Sequence, residues 1–400
     1  MFGTHAEGSD QTFSESFLEE KMTDDIHLFV PTFRVEETLA NIRICLEKGW
    51  TGLGFKTVEF ENAWCEYTGL PYAHFLNSAT SGLHLAVHLL KLHNNWQKDD
   101  EVITTPLTFV STNHVILQED LRPVFADVDE YLCLSPASVM DRITPRTRAV
   151  IFVGLGGNSG QLLDIAQICK ERNLCLILDA AHMSGTRLQG KHVGGEADVT
   201  VFSFQAVKNL PTGDAGMICF REKKFDTEVR KWTWLGISKD TYTRTHEKGT
   251  YKWLYDVEYE GFKYHGNSIM AAIALVSLKY LDQDNAYRRQ VASWYDTYFA
   301  DEPRIRTIPI APHCESSRHL YQVLVDKRDE MMLALNEQKI YPGVHYRDNT
   351  DYRMFRYASG TCPNAVKASD SIISLPMHLR LSYDDVKRVA IALKSIVKKL

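Results

Sequence analysis

The chain of 400 residues has no apolar run long enough to cross a bilayer, and none of its eight cysteines belongs to a CxxC pair. The first absence argues against an integral membrane protein. The second removes thioredoxin-like redox chemistry and the usual zinc spacings. The cysteines are scattered singly from Cys45 to Cys362, several within apolar runs such as Leu174–Leu178, as expected of reduced core residues in a cytoplasmic protein. A basic field is lacking too. Lys and Arg total 45 against 51 Asp and Glu, a net charge of −6 that would not gather a phosphodiester backbone, so nucleic acid is not an expected partner. The opening two dozen residues have neither a basic start nor an apolar core, which excludes a secretory signal; residues 1–25 are expected to form a polar, poorly ordered arm. No internal repeat or low-complexity tract is visible.

What is present is an alternation of short β-rich runs with longer helical ones. This predicts an α/β fold with a mixed, mostly parallel sheet flanked by helices. Helices are expected over Val35–Lys48, Lys56–Thr68, Ser111–Gln118 and Leu163–Arg172. Strands are expected at Glu101–Thr105, Arg122–Val128, Arg148–Val153, Leu174–Asp179, Val199–Phe204 and Gly216–Phe220. A long helix starts near Asn267 and runs on through Tyr298. After it come a strand at His319–Val325, a helix at Asp329–Gln338 and an amphipathic terminal helix from Tyr383 to Leu400. The change of pattern places a boundary near residue 285, between a large α/β domain over 26–285 and a smaller α+β domain over 286–400.

Chemistry is concentrated at strand ends. Lys208 lies just beyond the apolar run Val201–Phe204 and before the turn Gly213-Asp214-Ala215-Gly216. A lysine so placed in a closed site would lose its proton by desolvation and attack an aldehyde, although a loop lysine is more often merely solvated. Asp179 ends a buried-looking strand, where a carboxylate either meets a cation such as a pyridinium N–H or caps a helix. Ser78-Ala79-Thr80-Ser81-Gly82 brings hydroxyls and backbone N–H groups to a helix start, an anion site by geometry and dipole. Phe109 stands after another strand, either to stack on a flat cofactor or to fill a core.

These pieces occur together and in one order. With Trp50-Thr51-Gly52-Leu53-Gly54, Pro123–Val128, Asp179-Ala180-Ala181-His182, Ser203–Lys208 and Ser374–His378, they make a chain that resembles the DegT/DnrJ/EryC1/StrS sugar aminotransferases of pyridoxal-phosphate (PLP) fold type I, from Trp50 to the C-terminus. The resemblance implies that Lys208 carries PLP as a Schiff base and shuttles protons. Asp179 would pair with the ring nitrogen, His182 would contact the ring hydroxyl and Phe109 would stack on the ring. Thr80, Ser81 and Ser203 would hold the phosphate.

It further implies a homodimer with shared active sites, in which Gly261–Ile269 reaches across. There Lys263, His265, Gly266 and Ser268 depart from the family pattern, and Lys263 or His265 would meet the neighbour's phosphate. The expected reaction transfers an amino group from glutamate or glutamine to a nucleotide-linked keto-deoxysugar, a 4-keto-6-deoxyhexose. A ketocyclitol or other keto-sugar of antibiotic assembly is the alternative acceptor, and a noncatalytic sugar-nucleotide-binding relative is the alternative class. A sugar 3-dehydratase would carry His in place of Lys208. Arg230, Lys231, Arg318 and the backbone near Ser78 are candidates for binding the anionic groups of the two substrates.

Overall fold

The computed structural model describes residues 24–238 and 255–399, so nearly all of the expected N-terminal arm lies outside the described residues. Helices α1 (Val35–Glu47) and α2 (Phe55–Thr68) precede strand β1 (Tyr72–Leu76). There follow α3 (Ala79–His93), β2 (Glu101–Thr104), α4 (Ser111–Gln118), β3 (Arg122–Phe125), α5 (Pro136–Arg142) and β4 (Thr147–Val153). Next come α6 (Leu162–Arg172), β5 (Cys175–Asp179), β6 (Val199–Ser203), β7 (Gly216–Phe220) and α7 (Lys223–Trp232). The long helix α8 (Ser268–Phe299) leads to β8 (Tyr321–Leu324), α9 (Arg328–Asn336), α10 (Pro363–Ser371), β9 (Ile372–Leu375) and α11 (Tyr383–Lys399).

The first seven strands form one sheet in the order β1-β7-β6-β5-β4-β2-β3, parallel throughout except for β7, which runs against both its neighbours. The exception follows from chain length. No helix separates β6 from β7, so residues 204–215 cannot cross the sheet and must return along the edge they left. The strand β1 was not anticipated, because His74 interrupts its apolar pattern. That histidine is buried against Glu61, its Nδ1 2.9 Å from Oε1, which makes a polar residue acceptable in a strand interior.

Both faces of the sheet are covered, which is why the parallel strands read as continuous apolar runs. Val150 and Phe152 of β4 and Leu178 of β5 share a core with Phe60 and Trp64 of α2, while Ala149, Ile151 and Ile177 point the other way into a core shared with α3, α4 and α7. Trp64 meets Phe202 and Phe204 edge-on, at 4.9 and 5.1 Å between ring centroids. Those two aromatics anchor the end of β6 and turn the intervening Ser203 toward the opposite face, where α3 begins.

Residue 285 falls inside α8 rather than in a linker. The first half of that helix, through Ala271, Ala274 and Leu281, belongs to the large core; Val291, Ala292, Tyr295 and Phe299 belong to a second core with β8, β9, α9 and α11. The two bodies interleave further. Ile26 pairs with Ile340 beside the second core, and Phe355, Ala358, Ala365 and Ala368 pack into the first.

The start of β7 lies against the start of α3 so closely that a Cβ on Gly216 would sit 2.6 Å from the Ala79 nitrogen and 2.7 Å from the Ser78 carbonyl oxygen. Gly216→Ala should therefore cost about 1–3 kcal/mol, read as a shift in the urea midpoint. Gly195, whose added Cβ meets nothing within 4 Å, provides the control; Gly195→Ala should stay within about 0.5 kcal/mol of the parent.

Candidate active site

A cavity of about 430 Å³ opens at the carboxyl edge of the sheet, where a doubly wound fold places its ligands. The chain brings Ser78 and Thr80 to it from the β1–α3 turn, Thr108 and Phe109 from beyond β2, Val153 from the end of β4 and Asp179 and His182 from the end of β5. Ser203 and Lys208 come from the end of β6 and the return loop. The reversal of β7 adds Asp214 and Ala215 at the same edge.

Asp179 is 4% exposed. Its Oδ2 accepts from the Thr112 hydroxyl at 2.7 Å and its Oδ1 from the Ala181 N–H at 3.1 Å. Among the described residues no Lys, Arg or His nitrogen pairs with it. Burial raises its pKa, opposed by the two hydrogen bonds and by the more distant charge of Lys208. The helix-cap alternative is thus set aside, since Asp179 starts no helix and lines a cavity instead.

Lys208 is held by the turn that its own N–H closes onto the Gln205 carbonyl at 2.8 Å. Burial lowers its pKa to about 8, with Asp179 acting in the other direction. A useful fraction of the amine is then neutral near physiological pH, as a nucleophile toward an aldehyde requires.

At the β1–α3 turn, Ser78 caps α3 by accepting from the Ser81 N–H at 3.1 Å. Thr80 and Ser203 stand on the cavity wall, whereas Ser81 does not. The Ser81 hydroxyl is engaged by Ser78 Oγ at 2.6 Å and by Asn77 Oδ1, so it braces the turn from behind. The absence of a side chain at Gly216 lets this turn approach β7, which concentrates the first-turn N–H groups of α3 at one end of the cavity.

Phe109 is 57% exposed and faces the cavity, with its ring centroid 6.1 Å from that of Tyr346. It is therefore no core residue, and its ring is open to the cavity. His182 is buried; its Nδ1 accepts the Gly156 N–H at 3.1 Å and its Nε2 lies 3.1 Å from the Tyr346 hydroxyl. Burial holds His182 and His319 well below the usual imidazole pKa and brings His345 to about 4. Tyr346, His345 and His319 arrive from the second body, and Phe29 arrives from the N-terminal segment. Sequence reading gave none of these four a role of its own, although the segment holding His345 and Tyr346 fits the family pattern. Thr112, the partner of Asp179, was also missed, because nothing local to it signals a residue 67 positions away.

Lys263 and His265 are not on this cavity. They lie on an edge segment that pairs with Leu76 and Trp234, and Asn77 N–H donates to the Tyr264 carbonyl at 2.8 Å. Lys263 Nζ sits 3.2 Å from the centroid of the Trp234 ring. The unusual Gly266 has a local reason, since a Cβ there would come within 2.2 Å of Phe75. The three cationic candidates are engaged elsewhere. Arg230 bonds Glu61 at 2.9 Å and Asp226 at 3.0 Å, Lys231 bonds Glu258 at 2.6 Å, and Arg318 lies 3.9 Å from Asp296. None of them lines the cavity, which corrects their assignment to substrate binding.

Fold and site together define an aminotransferase of PLP fold type I. The chain belongs to the DegT/DnrJ/EryC1/StrS aminotransferase family, whose profile matches residues 33–394, and is a PLP-dependent sugar aminotransferase of that family. It is 34% identical over 375 residues to the spore coat polysaccharide biosynthesis protein SpsC of Bacillus subtilis, covering 91% of this chain and 95% of that one. Its structure is similar to that of Helicobacter pylori PseC, an aminotransferase involved in pseudoaminic acid biosynthesis. The TM-score is 0.86 at 26% identity, over 94% of this chain and all of PseC (100%). The Streptococcus pneumoniae protein Spr1654, solved in a PLP form, is similar with TM-score 0.85 at 26% identity, over 94% and 99% of the two chains.

Competitive labelling of the cofactor-free protein with an amine-reactive probe, read by mass spectrometry of the Lys208 peptide, should give a rate that rises about tenfold per pH unit and levels near pH 8. Asp179→Asn removes a charge that raises the Lys208 pKa, so its inflection should move lower. An inflection at the ordinary value of 10.5 would show a solvated lysine.

Proposed function

We propose that this enzyme transfers an amino group from glutamate or glutamine to a nucleotide-linked keto-deoxysugar, a 4-keto-6-deoxyhexose, with Lys208 as the cofactor-bearing residue. The observation that carries the reading is the placement of a partly deprotonated lysine and a buried, cation-free carboxylate on one 430 Å³ cavity. The polysaccharide and sugar contexts in the names of the relatives support a carbohydrate acceptor.

The residues present fit PLP. Asp179 lacks a cationic partner that a ring N–H would supply, Phe109 offers an uncovered face, and the Ser78–Thr80 turn with Ser203 offers hydroxyls and N–H groups for a phosphate. When bound, PLP supplies an aldehyde for amine exchange and an electron sink for the carbon beside the nitrogen. Asp179 would hold the ring-nitrogen proton. Lys208 Nζ would link to the cofactor and, once displaced by the incoming amine, carry a proton between the substrate carbon and the cofactor carbon, in one direction for the donor and in the reverse direction for the acceptor. The neutral imidazoles of His182, His319 and His345 add hydrogen-bonding groups without adding positive charge that would lower the Lys208 pKa further.

The protein would act as a two-fold homodimer, with Lys263 or His265 meeting the partner's phosphate. The edge position of their segment, outside the cavity of its own chain, supports this arrangement.

Lys208→Ala should abolish both the visible absorbance of the PLP-loaded protein and turnover. For the parent, initial rates over a grid of glutamate and keto-sugar nucleotide should give parallel double-reciprocal lines, because one cofactor serves the two substrates in turn. Intersecting lines would rule out the transaminase cycle. Heterodimers of Lys208→Ala with a Lys263→Ala/His265→Ala chain should recover part of the activity that each parent lacks. No recovery in verified heterodimers would count against the shared site.

A further inference from the structure

The loop between β2 and α4 brings the Phe109 ring and Thr108 to the cavity, and it is tied down by one residue that follows His345 and Tyr346 in the chain. Asn349 is 1% exposed. Its backbone N–H donates to the Pro106 carbonyl at 2.9 Å and its Nδ2 to the Thr108 carbonyl at 2.8 Å. Its Oδ1 accepts from Asn113 Nδ2 at 3.1 Å, and that same nitrogen donates to the Thr105 carbonyl at 3.1 Å. A carbonyl can only accept, so both amides are held in one orientation, and turning either would set like atoms against each other. Asn349 thus grips the loop at two of its carbonyls and at the first turn of α4.

From this loop a directed chain of hydroxyls leads to the buried carboxylate. Thr112 has one hydroxyl proton and gives it to Asp179 Oδ2 at 2.7 Å, so toward Thr108 Oγ1, 3.1 Å away, it can only accept. Thr108 is therefore the donor, and the order Thr108 to Thr112 to Asp179 runs one way. The first donation polarises the Thr112 hydroxyl and strengthens the second, which ends on the carboxylate. Thr112 is placed by α4, whereas Thr108 precedes that helix and depends on whatever holds the loop.

We propose that Asn349 is a positioning residue for Asp179: by fixing the Thr108 carbonyl it sets the Thr108 hydroxyl behind the Thr112 donation, and so keeps the carboxylate ionised. This deepens the function proposed above, in which that carboxylate meets the ring nitrogen, and it assigns a part in the site to a residue that does not itself line the cavity. Lys208 and Tyr346 are the titratable groups in electrostatic contact with Asp179, and the buried, neutral His182 stands on the same wall. All three are retained in the variants that test the proposal.

The test is an NMR titration of the Asp179 carboxyl carbon in cofactor-free protein carrying labelled aspartate, with Asp179→Asn identifying the signal. Burial raises this pKa and the Thr112 bond lowers it. Thr112→Val should therefore raise it by about one pH unit, and Thr112→Ser should return it toward the parent value. Asn349→Ala should raise it as well, by about half a unit, and the double variant Asn349→Ala/Thr112→Val should go no higher than Thr112→Val alone, because both changes act through one hydroxyl. Asn349→Ser, which loses the same amide but keeps a polar side chain, replaces Asn349→Ala if that variant does not fold, and its shift should have the same sign. A residue that merely sealed the site would behave in the opposite way, since its loss would admit water, relieve the burial and lower the pKa. A fall or no change in Asn349→Ala, or in Asn349→Ser in its stead, overturns the proposal, and so does a double variant in which the two shifts add in full. The readout needs no cofactor, so failure of the proposed function would show separately, as a parent protein that binds no PLP.

Discussion

A carboxylate at the middle of a sheet edge, almost wholly buried and in direct contact with no described cation, is the constraint around which this site is arranged. Asp179 has one hydroxyl and one backbone N–H as partners, too little to stabilise a buried charge fully. Under the proposed function its placement is tolerable because the cavity it faces would admit a group with a positive N–H. The same residue controls Lys208 through space, since its charge partly offsets the desolvation that would otherwise drive the amine pKa lower. Thr112 donates to the carboxylate, so α4 helps to hold Asp179 in place.

The reversal of β7 has a comparable reach. Had a helix separated β6 from β7, the loop after β6 would have had to cross a face of the sheet, taking Lys208 away from the edge. The twelve-residue return instead keeps Ser203, Lys208, Asp214 and Ala215 together, and the bare backbone at Gly216 lets the Ser78–Thr80 turn close against them. Aromatic packing sets the register of this loop: Phe202 and Phe204 lie in the cluster around Trp64, so a slip by one residue would turn Ser203 into that cluster and a phenyl ring toward the opposite face.

Much of this was readable from sequence because it depends on local pattern. Six sheet strands and their helices follow from apolar runs bounded by turns, and Lys208, Asp179, Phe109, Thr80 and Ser203 stand at strand ends or helix starts where a motif can be seen. What could not be read depends on contacts across long stretches of chain. Strand β1 is hidden by His74 until Glu61 is seen beside it, and His319, His345 and Tyr346 reach the cavity only through the folding of the second body. Arg230 shows the opposite error. Its charge and its position after the lysine motif suggested an anion site, whereas Glu61 and Asp226 hold it in a structural ion pair.

The scarcity of cations on the cavity wall follows from the needs of the lysine. Among the described wall residues Lys208 is the only Lys or Arg, and the three histidines nearby are kept neutral by burial. An additional fixed positive charge close by would drive the Lys208 pKa down further and compete with the cofactor ring for Asp179. Anionic groups on the ligands must then be met by backbone N–H groups and hydroxyls at the Ser78–Thr80 end, or by cations brought from outside the chain's own cavity. Under the proposed function Lys263 would take the second role. It lies on the edge segment next to Asn77, with its ammonium over an indole face, and in the proposed dimer it would exchange that weak contact for a phosphate of the neighbouring subunit. A dimer of this kind would keep the lysine's own surroundings free of other cations while supplying the charge its ligands require.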